Sequence, residues 1–154
     1  MNAMDAPGTG DARLEPATVA DLDALRALLE RLHLPTQDVG SPHQTFIVAR
    51  VRGELVGCVG LERYGDDALL RSLGVVSPLQ GAGLGTALFA QALAEARRSG
   101  VQALYLLTTT AAAFFEERGF ARIARSEVPA PVAASAEFRS LCPQTAACLR
   151  LSVR

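Results

Sequence analysis

Residues 78–90 read PLQGAGLGTALFA, with Gly81, Gly83 and Gly85 at alternate positions between an apolar run and a helical pattern. Glycine in a first helical turn is destabilising, so such a run implies that backbone must come close to something. A helix start carries unpaired amides and the positive end of the helix dipole, which suits a phosphate. Which phosphate carrier it is separates several folds. A Walker loop ends in Lys-Ser or Lys-Thr, whereas Gly85 is followed by Thr86-Ala87 with no lysine nearby. A dinucleotide loop needs G-x-G-x-x-G and an acid closing the next strand. Counted from Gly81 the third glycine falls one position early, and the next strand ends in Leu106-Leu107-Thr108. A helix start merely loosened by glycine, with no ligand, is the bland alternative.

The surrounding pattern fixes where this loop sits. A short strand is expected around Ala12 to Pro16, then a helix opened by Thr18 and Asp21 with Leu22, Leu25, Leu28, Leu29 and Leu32 at helical spacing. Pro35 ends it near His33. Thr45 to Val51 and Glu54 to Leu61 read as a hairpin about Arg52-Gly53, and Ala68 to Val76 as a third meander strand. Leu84 to Arg98 is a helix stopped by Gly100, and Val101 to Leu107 is apolar enough for a central strand. Further on we expect a helix over Thr110 to Arg118, a strand over Phe120 to Arg125, a helix over Pro131 to Leu141 and a last strand over Ala147 to Val153. This order predicts an α/β class fold with a mixed sheet: an antiparallel front half joined to a parallel βαβ crossover.

One domain over 12–154 is expected, behind a loose polar tail at 1–11 that lacks the features of a signal peptide. Fifteen basic against sixteen acidic residues leave no electrostatic footprint for nucleic acid or an anionic membrane. No apolar run approaches a membrane span of about 18 residues. Three cysteines without a C-x-x-C pattern indicate neither a disulfide framework nor a zinc site, so a reduced, cytoplasmic protein is the expectation.

Gln80-x-x-Gly83-x-Gly85, preceded by LRSLGVVSP and followed by TALFAQALAEA, resembles the acyl-CoA loop of the Gcn5-related N-acetyltransferases. The segment TTTAAAFFEERGF, residues 108–120, resembles that family's following helix, and the likeness runs from about residue 45 to 125. The resemblance implies acetyl-CoA as cosubstrate, its pyrophosphate on the amides of Gly81, Ala82, Gly83, Leu84, Gly85 and Thr86, with Gln80 as a neutral donor. It implies that the strands flanking the long helix splay apart to admit the pantetheine, along Gly74, Val75 and Val76 on one side and Thr108, Ala111 and Phe115 on the other. A backbone amide at Gly74, Val75 or Val76 would polarise the thioester carbonyl, with Val75 the representative choice. The acceptor amine would attack directly.

Two residues depart from the family pattern. Phe115 stands where a tyrosine often protonates the leaving thiolate, and Thr108 where an asparagine commonly holds the cofactor arm. The position at which some members place a catalytic glutamate is Leu69. Glu62, Asp66, Asp67, His33 and His43 qualify as a base by type alone, and a solvated surface position is the plainer reading of each. Of these, Glu62 is carried forward as the base candidate. Arg71 lies in an apolar strand: facing the cleft it could clamp a substrate carboxylate, facing out it is an ordinary strand arginine.

Only HLPTQDVGSPHQT separates the first helix from the hairpin, so the acceptor site is expected to be open or walled by the C-terminal region. That region, SEVPAPVAASAEFRSLCPQTAACLRL, with LYLLTTTA, resembles the arsenic-resistance branch of the superfamily. The branch implies a small amine as acceptor, an organoarsenical amino acid included. Family members often pair as homodimers through sheet edges. Cys58, Cys142 and Cys148 invite a thiolate site for a metalloid, against the plainer reading of buried small hydrophobes. The alternative to an enzyme is a binding module that senses acyl-CoA or a metalloid.

Overall fold

The computed structural model describes residues 12–153. The expected tail at 1–11 lies outside them. Among the described residues a single seven-stranded sheet runs in the order β1-β2-β3-β4-β5-β7-β6. Its strands are β1 (Arg13–Pro16), β2 (Gln44–Val51), β3 (Glu54–Tyr64), β4 (Asp67–Val75), β5 (Ala103–Thr108), β6 (Ala121–Arg122) and β7 (Ala147–Ser152). The helices are α1 (Leu22–Arg31), α2 (Leu84–Arg98), α3 (Ala112–Glu116) and α4 (Ala130–Ala133). The antiparallel meander and the one parallel pair, β4 with β5, follow the mixed sheet read from the sequence.

Local chemistry accounts for most boundaries. The Asp21 carboxylate accepts from the Thr18 amide at 2.7 Å ahead of α1. The helix closes when His33 enters the left-handed region and the Leu34 amide reaches back to the Leu29 carbonyl. Arg52 and Gly53 both have positive φ, the turn that matches the twist of a two-residue hairpin.

The two long helices cover opposite faces. Gly57 pairs with Val75 and Cys58 with Gly74, so Gly57 and Gly74 belong to opposite faces of the sheet. A Cβ on Gly57 would meet Leu88 of α2 at 3.0 Å, and one on Gly74 would meet Leu32, just past α1, at 2.6 Å. Beyond α1 the same face is covered by the C-terminal segment, whose Val128, Val132 and Phe138 pack on Leu69 and Tyr105.

The sheet opens where function was expected. β4 and β5 pair only at Asp67–Leu69 with Ala103–Tyr105. Beyond Gly60–Arg71 the next pair is Cys58–Gly74, so β4 carries one extra residue, a bulge at Ser72-Leu73. Ser72 sits at φ 59° there. A bulge bends its strand and re-aims the residues beyond it, which here carries the rest of β4 away from β5.

Three sequence expectations need correction. The strand over Phe120 to Arg125 shrinks to Ala121–Arg122 at the sheet edge, since β7 inserts between it and β5. The helix over Thr110 to Arg118 is only Ala112–Glu116. The helix over Pro131 to Leu141 is broken into α4 and a π-helical turn, Glu137–Leu141. Within it the Ser135 hydroxyl receives the Phe138 amide, and the Cys142 amide reaches the Glu137 carbonyl. The turn buries Glu137 and Phe138, neighbours in sequence, at once.

Gly60 tests the close packing beside the bulge. A Cβ there would stand 2.7 Å from the Phe46 ring and 3.1 Å from Arg71 Cγ. Gly60→Ala is expected to lower stability by about 1–3 kcal/mol through overpacking, measured as a reduced urea midpoint with unchanged slope.

Candidate functional site

The loop before α2 is shaped by glycine for two different reasons. Gly81 and Gly83 have φ of 83° and 91°, conformations that side chains rarely adopt. Gly85 has no such constraint, and a Cβ on it would touch only Val75 Cγ2 at 3.9 Å. Neither backbone nor packing within the chain demands glycine there; the space in front of the α2 amides is held open. The Gln80 side chain donates to the Val75 carbonyl at 2.8 Å, which ties the loop to the end of β4.

A cavity of about 620 Å³ lies against this loop. Of the residues expected to meet a cofactor, Gln80, Gly81, Gly83, Gly85 and Thr86 line it from the loop and α2. Gly74 and Val75 line it from β4, Ala111 and Phe115 from the other side of the opening. Val76 and Leu84 are buried in the core, and Ala82 is not among the lining residues. Thr108 turns to a second cavity, its hydroxyl oxygen accepting the Ala111 amide at 2.9 Å. Phe115 sits in an aromatic cluster with Phe89, Phe114 and Phe120, so its ring is a wall of the opening fixed from behind.

Backbone alternation selects among the three amides proposed for the carbonyl. The Val76 amide donates to Val56 at 2.9 Å, so Val76 and Gly74 turn their polar groups toward β3. Val75 therefore turns its amide and carbonyl to the opposite side, where β5 has already diverged.

One contributor escaped the sequence reading. Arg118 lines the loop cavity, held there by a 2.7 Å hydrogen bond to the Thr86 hydroxyl, another to the Phe114 carbonyl, and its stack on the Phe114 ring at 3.5 Å. It brings a cation beside the α2 N-terminus. Its position after FFEE was the available signal, but only the fold brings α3 next to α2.

The second cavity, about 550 Å³, opens on the far side of the splay. Leu34, Pro35 and Thr36 wall it from the short loop after α1, and Glu137, Leu141 and Cys142 wall it from the C-terminal segment. At its edge lies a buried ion cluster. Arg71 is fully buried and bonds bidentately to Asp38, at 2.5 and 2.8 Å, and to Glu62 at 2.5 Å. Its Nε donates to the Ser72 hydroxyl at 3.0 Å and lies 3.4 Å from Glu137 Oε2. Arg71 thus faces inward, with its donors engaged by the protein's own acids. Glu62 is not the solvated surface residue expected: it is 3% exposed and also accepts from Gln44 and Tyr64.

Burial works against the Arg71 charge, but its pairs with Asp38, Glu137 and Glu62 more than compensate, and its pKa is raised. Glu137 lacks that compensation. Burial, together with the negative charges of Asp38 and Glu62, pushes its carboxyl up to about 7 despite Arg71. Burial likewise pushes the Cys58 and Cys142 thiols up to about 12. Cys58 donates to the Ser72 carbonyl within the sheet. Among the described residues no group of three or more His, Cys, Asp or Glu side chains is arranged to hold a metal ion. No described helix is long and apolar enough to cross a membrane.

Comparison with known proteins agrees with this architecture. The sequence model of the acetyltransferase (GNAT) family matches residues 12–120. Over 100 residues the chain is 29% identical to an amino-acid acetyltransferase of Neisseria meningitidis, covering 64% of this chain and 23% of that protein. The chain thus spans about a quarter of the length of the curated relatives it matches. Among solved structures, N-acetylglutamate synthase from Neisseria gonorrhoeae, complexed with coenzyme A and N-acetyl-glutamate, aligns with a TM-score of 0.77 at 23% identity, over 93% of this chain and 35% of that one. Rv2747 from Mycobacterium tuberculosis, in complex with CoA and NLQ, aligns with a TM-score of 0.74 at 24% identity, over 91% and 98%.

Removing Arg71 would leave the carboxylates of Asp38, Glu62 and Glu137 facing one another in the interior. Arg71→Leu is expected to cost about 3–5 kcal/mol near neutral pH. The loss should shrink as pH falls through about 7 and Glu137 takes up its proton, which urea denaturation at pH 5 and pH 8 would compare directly.

Proposed function

The chain belongs to the acetyltransferase (GNAT) family, and from that premise we propose that it is an acetyl-CoA-dependent N-acetyltransferase acting on the amine of a small molecule. The observation that carries this reading is the space kept open at Gly85, in front of the α2 amides and continuous with the divergence of β4 from β5. The pyrophosphate would rest on the amides of the Gly81–Thr86 loop, with Arg118 supplying charge beside it. The pantetheine would run along the gap, replacing the strand pairing that β4 lacks beyond Leu69.

The amine attacks the thioester carbonyl carbon from the second cavity. The Val75 amide, turned into the gap, is the donor available to the oxygen as negative charge develops. Collapse of the tetrahedral intermediate expels CoA thiolate. Phe115 can donate no proton, but a thiolate is a good enough leaving group near neutral pH to depart without a dedicated acid.

For the acceptor we favour a free amino acid or an analogue of one, because the Neisseria relatives are amino-acid acetyltransferases. The likeness of the C-terminal segment to the arsenic-resistance branch puts arsenical amino acids in the same test. A second reading, a sensor that binds acyl-CoA without turnover, draws on Phe115 alone. The raised pKa values of the Cys58 and Cys142 thiols weigh against a metalloid version of it.

Three experiments test this. Acetyl-CoA at about 100 times its dissociation constant should add roughly 2.7 kcal/mol and raise the melting point by several degrees, while NAD and ATP leave it unchanged. Thiol release with a panel of amino acids, arsenical ones included, should then separate enzyme from sensor. Gly85→Ala should keep or slightly raise the stability of the free protein, by at most about 1 kcal/mol, yet abolish most of the acetyl-CoA shift. An undiminished shift would mean that nothing uses that space.

A further inference from the structure

Direct attack needs an unprotonated amine, and an amine of pKa above 8 reaches the site mostly as an ammonium ion. Something must take its proton. β4 offers no acid on this stretch, since Leu69 is buried against Tyr105 and the C-terminal segment. Glu62 is closed off by three donors, and Asp38 forms the bidentate pair with Arg71; neither lines the cavity. His33 lines the cavity but is itself exposed at its rim. The Cys142 thiol, also in the lining, hydrogen-bonds to Glu137 and is itself hard to ionise.

Glu137 differs from all of these. Among the described residues it is the one carboxylate in the wall of the second cavity, 4% exposed, on the π-helical turn beside Arg71 and Ser72. Its fixed partners are the Cys142 thiol and the Arg71 Nε at 3.4 Å. The charged groups facing it are Arg71 from β4, Glu62 from β3 and Asp38 from the loop after α1.

Resting on the acetyltransferase reading above, we propose that Glu137 is the general base that removes the proton from the acceptor ammonium. One proton passes from R–NH3+ to the Glu137 carboxylate. The freed lone pair of R–NH2 forms the N–C bond, and the C=O π electrons move to oxygen. Re-forming C=O breaks the C–S bond, the second nitrogen proton goes to the departing thiolate, and Glu137 returns its proton to solvent. The products are the N-acetyl amide, CoA–SH and one proton. The raised pKa suits this work, because the group is ionised above about pH 7 and still basic there.

The test is the pH profile of kcat/KM for the best acceptor of the amino-acid panel, wild type against Glu137→Gln. Wild type should rise through an acidic limb near pH 7 and then level off. E137Q should fall by about 100-fold or more at pH 7 and climb roughly tenfold per pH unit toward the amine's own pKa. Its acetyl-CoA melting shift should be unchanged, and Glu137→Asp should restore part of the rate together with the plateau. A merely structural role would lower the whole profile without changing its shape, and that outcome overturns the assignment. So does an E137Q within a few-fold of wild type. If E137Q fails to fold, the wild-type limb decides alone, its absence overturning the proposal. If wild type binds acetyl-CoA but acetylates nothing on the panel, the enzyme reading fails first and the base falls with it.

Discussion

The buried guanidinium of Arg71 is the point on which four separate segments depend. Its pairs with Glu62 on β3 and Asp38 in the loop after α1 join the meander to the wall of the second cavity. The contact with Glu137 brings in the C-terminal turn. Burying one cation with three carboxylates is a poor source of net stability, because desolvation offsets most of the Coulomb attraction. Its value lies in geometry. An arginine that must satisfy all its donors in the interior holds the short loop and the C-terminal segment in one arrangement, and so shapes the space between them.

The same cluster sets the chemistry of its last member. Asp38 and Glu62 take the strong hydrogen bonds, and Glu137 is left with one long contact and a thiol. A carboxyl in that position is expensive to ionise, which raises its pKa toward neutrality. Glu137 therefore favours the fold most below the unfolded carboxyl value, and that contribution is lost as pH rises through about 7. A side chain that destabilises the fold above neutral pH is consistent with a role in function.

The opening of the sheet has a cause just as local. The extra residue at Ser72-Leu73 bends β4 after only three pairs with β5. Past the bulge, alternation turns Val75 away from β3, toward a gap that contains no strand. Gln80 then holds the Val75 carbonyl and the glycine loop together, which ties the end of β4 to the start of α2. The end of β4 and the loop before α2 are thereby set relative to each other by one side chain.

Much of this architecture was legible in the residues. Apolar spacing and turn chemistry located both long helices, the meander and the central strand, because each is decided by local periodicity and by residues such as Arg52-Gly53 and Gly83. The loop, too, could be read directly, since three glycines before a helix leave few uses. The C-terminal third was misread: PVAASAEFRSL has helical periodicity throughout, but Ser135 and Pro143 make a broken path cheaper, and the gain that selects it is tertiary. The π-helical turn buries Glu137 and Phe138 together. In the sequence Glu62 could be read as a base or a surface acid, and Arg71 as a clamp facing the cleft or an ordinary strand arginine; their burial in one ion cluster was not visible there. By itself the sequence determined both long helices, the meander, the central strand and where backbone must stay bare, because those depend on neighbours a few positions away. Only the tertiary structure decided which charges meet, because Asp38, Glu62, Arg71 and Glu137 lie far apart along the chain and hold one another in place through ion pairs that form only in the fold.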